Sequence, residues 1–240
     1  MALAGGNLTS GQLPGPAKGP GAAARAEIAR NRGTGYATVR MTTPLDDLAT
    51  APDEALLTLF ANGDALAARA LTERFTPMVM AHAFRLLGDR AEAEDVAQDA
   101  MMRLWKIAGD WRRGEAKVST WLYRVVANLA TDQLRKRRRG GTGVGLALDD
   151  VPEPADDAEG PAERLQTKAR ADALQAALDA LPERQRQAVV LRHIEGLGNP
   201  EIAAIMGIGT EAVESLTARG KRALTAALAG RREELGYGDD

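Results

Sequence analysis

Cysteine is absent from this 240-residue chain. Disulfides, thiolate chemistry and cysteine-based zinc sites are thereby excluded, and a reducing cytoplasm is the compatible setting. Only two histidines occur, His82 and His193. They lie far apart with no carboxylate at metal-ligand spacing, so each is expected at or near a helix surface, with no metal and no cofactor. Aromatic residues make up only 4% of the chain. No run approaches the roughly 18 apolar residues of a membrane span, and few stretches alternate with period two, which argues against strands. What is abundant is Ala, Leu, Arg and Glu, the strong helix formers. With 45% hydrophobic residues the chain can build real cores, and the expected class is all-α, in two helical domains joined by a flexible linker.

The net charge of −2 conceals a strong polarity along the chain. Residues 1–40 carry five basic residues and one acid, residues 135–139 read RKRRR, and residues 140–163 hold seven acids and no base. A near-neutral total therefore does not argue against nucleic-acid binding, because local patches create the attraction. Residues 1–51 are expected to be a disordered extension. Residues 1–40 are rich in Gly, Pro and Ala, and the Gly and Pro would spoil the amphipathic helix of a transit peptide. Met41 is a second candidate start of translation.

Helices are expected over 53–61, 64–87 (perturbed at Pro77), about 90–108, and from Ser119 or Thr120 to 138. These make a first domain over 52–139. The Gly/Pro/acid segment 140–161 reads as a linker. A second domain follows over 162–230 with four helices, then a polar tail over 231–240.

Residues 199–218, NPEIAAIMGIGTEAVESLTA, read as a helix-turn-helix. Asn199 is expected as N-cap with Pro200 at the first helical position. Gly207 supplies the positive φ of the turn, and Thr210 is expected to cap the second helix with Glu211 in its first turn. Ile202, Met206, Ile208, Val213 and Leu216 fall at inward positions, and Ala203 is small where the helices cross. Such a unit lays its second helix in the DNA major groove. Here that helix carries Thr210, Glu211, Glu214, Ser215 and Ala218, followed by Arg219, Lys221 and Arg222 for phosphates.

Two further helices carry candidate surfaces. Over 90–108, Val96, Ala97, Ala100, Met101, Leu104 and Ala108 form a core stripe. Asp95, Gln98, Asp99, Met102 and Lys106 form another beside Arg103, with Trp105 a further candidate for that side. Two acids, an amide and an outward Met on one side suit a protein partner. Over 119–138, Leu122, Val125, Val126, Leu129 and Leu134 pack inward. Thr120, Arg124, Asn128, Thr131 and Arg135 make a polar row that ends in the cluster Arg135, Lys136, Arg137, Arg138 and Arg139. The preceding loop adds Trp111, Arg112, Arg113 and Lys117, aromatic and basic groups of the kind that stack and neutralise unpaired bases.

Taken together, GDRAEAEDVAQDAMMRLWK, STWLYRVVANLATDQLRKRRR and LPERQRQAVVLRHIEGLGNPEIAAIMGIGTEAVESLTARGKRAL resemble an extracytoplasmic-function sigma factor of bacterial RNA polymerase. The resemblance covers residues 53–139 and 162–229, in order. It implies a non-enzymatic initiation factor that binds core polymerase and promoter DNA. The first domain would bind the β′ clamp helices through Asp95, Gln98, Asp99, Met102, Arg103 and Lys106. It would read the −10 element as a melted strand, with Asn128 at a base-contacting position and loop 110–119 capturing a flipped base. The second domain would read the −35 element and meet the β flap, and the acidic linker would thread toward the RNA exit channel. Control by an anti-sigma factor is implied; a small-molecule substrate is not. In the free chain the linker acids are expected to fold back on the basic helix ends.

Glu214 departs from the family pattern, where a basic residue is common. Its carboxylate can meet a cytosine amino group, pair with a neighbour such as Arg219, or face solvent. A conventional helix-turn-helix regulator would explain 199–222 but not the separate STWLYR and RKRRR segments. An enzyme has little support, since Gly141, Gly143 and Gly145, the only candidate phosphate loop, follow no strand and precede no Lys-Ser/Thr.

Overall fold

The computed structural model describes residues 45–112, 114, 116–140 and 160–231, and every regular element among them is helical. The helices are α1 (Leu45–Thr50), α2 (Asp53–Ala61), α3 (Ala65–Leu87), α4 (Arg90–Ile107), α5 (Val118–Gly140), α6 (Pro161–Asp179), α7 (Glu183–Val189), α8 (Asn199–Met206) and α9 (Thr210–Ala229). A 3₁₀ turn, Ala108–Asp110, extends α4, and a π-helical turn, Val190–Ile194, extends α7.

Local chemistry sets most of these boundaries. The Asp64 side chain accepts from the Leu66 and Ala67 amides at 2.8 and 3.1 Å and starts α3, and Asp89 accepts from the Glu92 amide at 2.9 Å and starts α4. The helix assignment runs through Pro77 without a break. Helices α3, α4 and α5 bury Leu71, Val79, Ala97, Leu104, Leu122 and Val126 in one core, closed at one end by Phe60 against Trp105 at 4.6 Å. Trp105 therefore belongs to this core and not to the exposed stripe of α4.

Of the extension expected to be disordered, residues 1–44 lie outside the described residues, and its last residues depart from that expectation. Leu45–Thr50 is helical, and Leu48 is buried in the same core. Arg74 ties this segment down by donating to the carbonyls of Ala49 and Ala51, each at 2.8 Å, and by pairing with Asp53.

In the C-terminal group, α7 and α9 pack in close contact. A Cβ on Gly220 would collide with the Val189 side chain and lie 3.2 Å from the Gln185 carbonyl oxygen, so only glycine fits there. The helix-turn-helix is present, with two corrections at its caps. Gly198, not Asn199, precedes the first helix, and the Gly198 amide donates to Glu201 Oε2 at 3.2 Å. Thr210 is already helical, preceded by Gly209 with no side-chain cap. Gly207 holds φ +63 in the turn.

The two groups of helices touch directly. Tyr123 of α5 joins Leu191, Ile202, Ile205 and Val213 in one apolar cluster. Arg186 of α7 donates to the Leu86 carbonyl at the end of α3 at 2.6 Å, satisfying a carbonyl the helix itself cannot. Arg138 pairs with Glu183 at 3.0 Å and Lys117 with Glu201 at 3.2 Å. The acidic segment 141–159, expected to fold back on the basic ends, lies outside the described residues.

Candidate nucleic-acid interface

The outward face of α4 carries Asp95, Gln98, Asp99, Met102, Arg103 and Lys106, all exposed, while Val96, Ala97, Ala100, Met101 and Leu104 are buried behind them. Met102 is 42% exposed, one of few large apolar side chains so placed. Between this face and the C-terminal half of α5 runs a groove of about 730 Å³. Asp95, Gln98, Asp99 and Arg103 line one wall, and Gln133, Arg135, Lys136 and Arg139 line the other. Two surfaces read separately in the sequence thus form one bipolar groove.

The basic cluster divides by role. Arg137 is half-buried and forks onto Glu92 of α4, its Nε at 3.0 Å from one carboxylate oxygen, and also reaches the Leu87 carbonyl. The hydrogen bond to Glu92 holds its guanidinium pKa above the ordinary value. Arg137 therefore clamps α5 to α4 and is removed from the phosphate-binding set. Arg138 is turned to Glu183, and Arg135 lies 3.5 Å from Asp132. Lys136 and Arg139 are exposed with no ion pair among the described residues.

Along the polar row of α5, Asn128 is exposed and Thr120 and Arg124 are half-buried. Thr131 leaves the row and lines a narrow crevice against Arg186 and Gln187. In the preceding loop, Trp111 is partly buried and packs edge-on against Trp121, with ring centroids 6.0 Å apart, at the margin of the core. Arg112 and Lys117 are exposed, and Arg113 lies outside the described residues.

On α9, Thr210, Glu211, Glu214, Ser215, Ala218, Arg219, Lys221 and Arg222 are all exposed, so the candidate reading face is open. Arg219 turns back along its own helix, donating to the Ser215 carbonyl at 3.2 Å and hydroxyl at 2.9 Å. It does not pair with Glu214, whose Oε1 instead accepts from Asn199 Nδ2 at 3.1 Å.

The sequence reading missed the polar centre between the two groups. Glu195, just past the π turn, accepts from the Tyr123 hydroxyl at 2.7 Å and from Arg85 Nη1 at 3.0 Å. His82 Nδ1 lies 3.4 Å from the same carboxylate without hydrogen-bond alignment, and its ring meets Tyr123 edge-on at 4.8 Å. His82 is completely buried, which corrects its expected surface position. A signal existed: Phe75, Val79, His82 and Leu86 share one helical stripe, so periodicity places His82 with the core. Burial lowers its pKa and keeps the ring neutral. Burial opposes the charge on Glu195, but the adjacent His82 ring, the Tyr123 hydrogen bond and the nearby Arg85 outweigh it and hold the carboxyl below its ordinary range. Burial and the adjacent carboxylate push the Tyr123 hydroxyl well up. Among the described residues no cluster of acids and histidines is arranged to hold a metal, and no helix is long and apolar enough to cross a membrane.

Comparison with known proteins matches both halves of this arrangement. Residues 71–140 fit the family model of sigma-70 region 2, and residues 171–224 that of sigma-70, region 4. The chain is 36% identical over 156 residues to the ECF RNA polymerase sigma factor SigE of Mycolicibacterium smegmatis, a match spanning 63% of this chain and 58% of that protein. It is 30% identical over 182 residues to the RNA polymerase sigma-H factor of Pseudomonas aeruginosa, spanning 73% of this chain and 93% of that protein. Among solved structures, CnrH in complex with the cytosolic domain of CnrY superposes with a TM-score of 0.53 at 27% identity, covering 74% of this chain and 97% of that one. With both regions matched in order and a relative covered over nearly its whole length, the chain belongs to the extracytoplasmic-function sigma factor family of bacterial RNA polymerase.

Proposed function

We propose that this chain binds core RNA polymerase and directs promoter-specific initiation, acting in the cytoplasm as a non-enzymatic specificity factor. The observation that carries this reading is the bipolar groove. A protein-binding stripe on α4 and the exposed cations Lys136 and Arg139 on α5 face one space, so one domain engages the polymerase clamp and melted DNA together. Asn128 contacts a −10 base, loop 110–119 holds the displaced strand, and α9 reads the −35 element as duplex. Residues 52–139 and 162–230 act as the two working domains, with 140–161 as the connector.

An anti-sigma factor is the third partner. CnrH, the structural relative, was solved bound to the cytosolic domain of CnrY. A protein of this kind would compete for the α4 face or hold the two helical groups together. The −10 and −35 elements lie about 25 base pairs apart, roughly 85 Å of duplex at ~3.4 Å per pair. Two groups whose helices touch cannot reach both, so engagement on a promoter requires them to part.

Run-off transcription with purified core polymerase on genomic fragments tests the reading. Specific transcripts are expected only when this chain is added. The double variant Asp95→Ala/Gln98→Ala, at two exposed positions, should lose core binding with helix content intact. Absence of core binding by the wild-type chain at low salt, with no inhibitor present, overturns the assignment.

A further inference from the structure

Glu214 stands five residues into the recognition helix and points out from it, on the part of a helix-turn-helix that meets base edges. A carboxylate there faces two rows of phosphates and is repelled unless it meets a donor. The cation best placed to neutralise it, Arg219, is committed to Ser215, and no ion pair to Glu214 occurs among the described residues. Its one partner is the neutral amide of Asn199, 3.1 Å away.

Asn199 is available for this because it does not serve as the helix cap. Asn199 is already the first residue of α8, past the cap position held by Gly198, and its side chain crosses from the start of α8 to α9. Its Nδ2 occupies Glu214 Oε1 and fixes the rotamer. Oε2 then remains as an outward acceptor. Ala218, one turn further along the same face, is small and exposed, so the helix can approach the groove closely at that point.

The major-groove edges of the four bases differ in what they present to such an acceptor. Guanine offers only acceptors, and thymine an acceptor and a methyl group. Adenine offers an amino donor, but its neighbouring N7 is an acceptor that repels the carboxylate. Cytosine offers an amino donor with no adjacent acceptor.

Resting on the reading of α8 and α9 as the −35 unit, we propose that Asn199 and Glu214 act as a specificity pair, with Glu214 accepting from a cytosine amino group and Asn199 positioning its carboxylate. Asn199 is a positioning residue in this pair and touches no base. The −35 element recognised by this chain therefore contains a C·G pair in one fixed orientation at the step facing Glu214.

The test uses the full chain with core polymerase on a template library randomised through both promoter elements, with initiating templates sequenced. The wild-type chain should favour cytosine at one −35 position by about 5-fold or more over the other bases, the lower end of the range for a two-point base contact. Glu214→Gln should abolish that preference, since with Oε1 still held by Asn199 the outward atom becomes an amide donor, which cannot meet a cytosine amino group. Asn199→Ala should reduce the cytosine preference several-fold and leave −10 preferences, melting temperature and helix content unchanged; loss of a cap would lower the last two. If Glu214→Gln raises output on all templates alike and Asn199→Ala changes nothing, with every −35 preference unchanged in both, the carboxylate only repels phosphate and the pair is refuted. If the wild-type chain initiates on no template, the sigma-factor reading falls and takes the pair with it.

Discussion

Replacing Glu195 with alanine should open the contact between the two groups of helices. The carboxylate receives a 2.7 Å hydrogen bond from Tyr123 and a 3.0 Å one from Arg85. Hydrogen bonds to a charged group contribute about 1.5–3 kcal/mol each, and a buried hydroxyl left without a partner costs about 1–3 kcal/mol. The Arg85 share is small, because that side chain is 31% exposed and regains water. Relief of the desolvation of Glu195 offsets part of the loss. The net change is about 2–4 kcal/mol, or roughly 30- to 900-fold in the ratio of open to closed chains.

The absence of native cysteine allows clean labelling. Dyes on cysteines introduced at exposed Lys106 and Ala226 report the separation by single-molecule energy transfer. Glu195→Ala should populate a long-distance state. Tyr123→Phe and Glu195→Gln should give intermediate shifts, and the double variant should be less than additive, as expected of groups sharing one hydrogen bond. Unchanged distances for Glu195→Ala and Tyr123→Phe refute the argument. So does a lengthening accompanied by lost helix content, which would signal unfolding instead.

Three other outcomes follow from the geometry. Closure should weaken as pH falls below about 6.5, because His82 is held neutral by burial and Glu195 is held ionised beside Tyr123 and Arg85; both take up protons more readily when open, so acid favours opening. The same dye pair measured from pH 5 to 7.5 checks the sign, and greater closure in acid contradicts it. Gly220→Ala should destabilise the C-terminal group by about 1–3 kcal/mol, overpacking against Val189 outweighing the helix propensity gained, with thermal unfolding as the measure. On the proposed −10 reading, Asn128→Ala should cost about 1–3 kcal/mol at one −10 position and little elsewhere, measured as initiation across −10 variants; a uniform loss contradicts that role.

Much of the fold was legible in the sequence because its determinants are local. Asp64 and Asp89 start their helices through amides two or three residues away, and Gly207 turns the chain where only a left-handed residue fits. The stripe of α4 divides into buried and exposed faces as the 3.6-residue period requires. Other features depended on residues distant in the chain. The helix Leu45–Thr50 lacks a strong pattern of its own and exists against Arg74 and the core. Five consecutive bases look equivalent in sequence, yet Arg137 is claimed by Glu92, 45 residues away, while Lys136 and Arg139 stay exposed.

The sequence by itself determined the helical class, the helix-turn-helix and the exposed face of α4, since each follows from periodicity, caps and turn residues within a few positions. Only the tertiary structure decided that Trp111 packs against Trp121, that Asn199 serves Glu214 instead of its own helix, and that the two groups of helices meet at Glu195. Glu195 finds Tyr123 and Arg85 across 72 and 110 residues. No local pattern encodes such a contact, because it depends on which faces remain after both cores have formed.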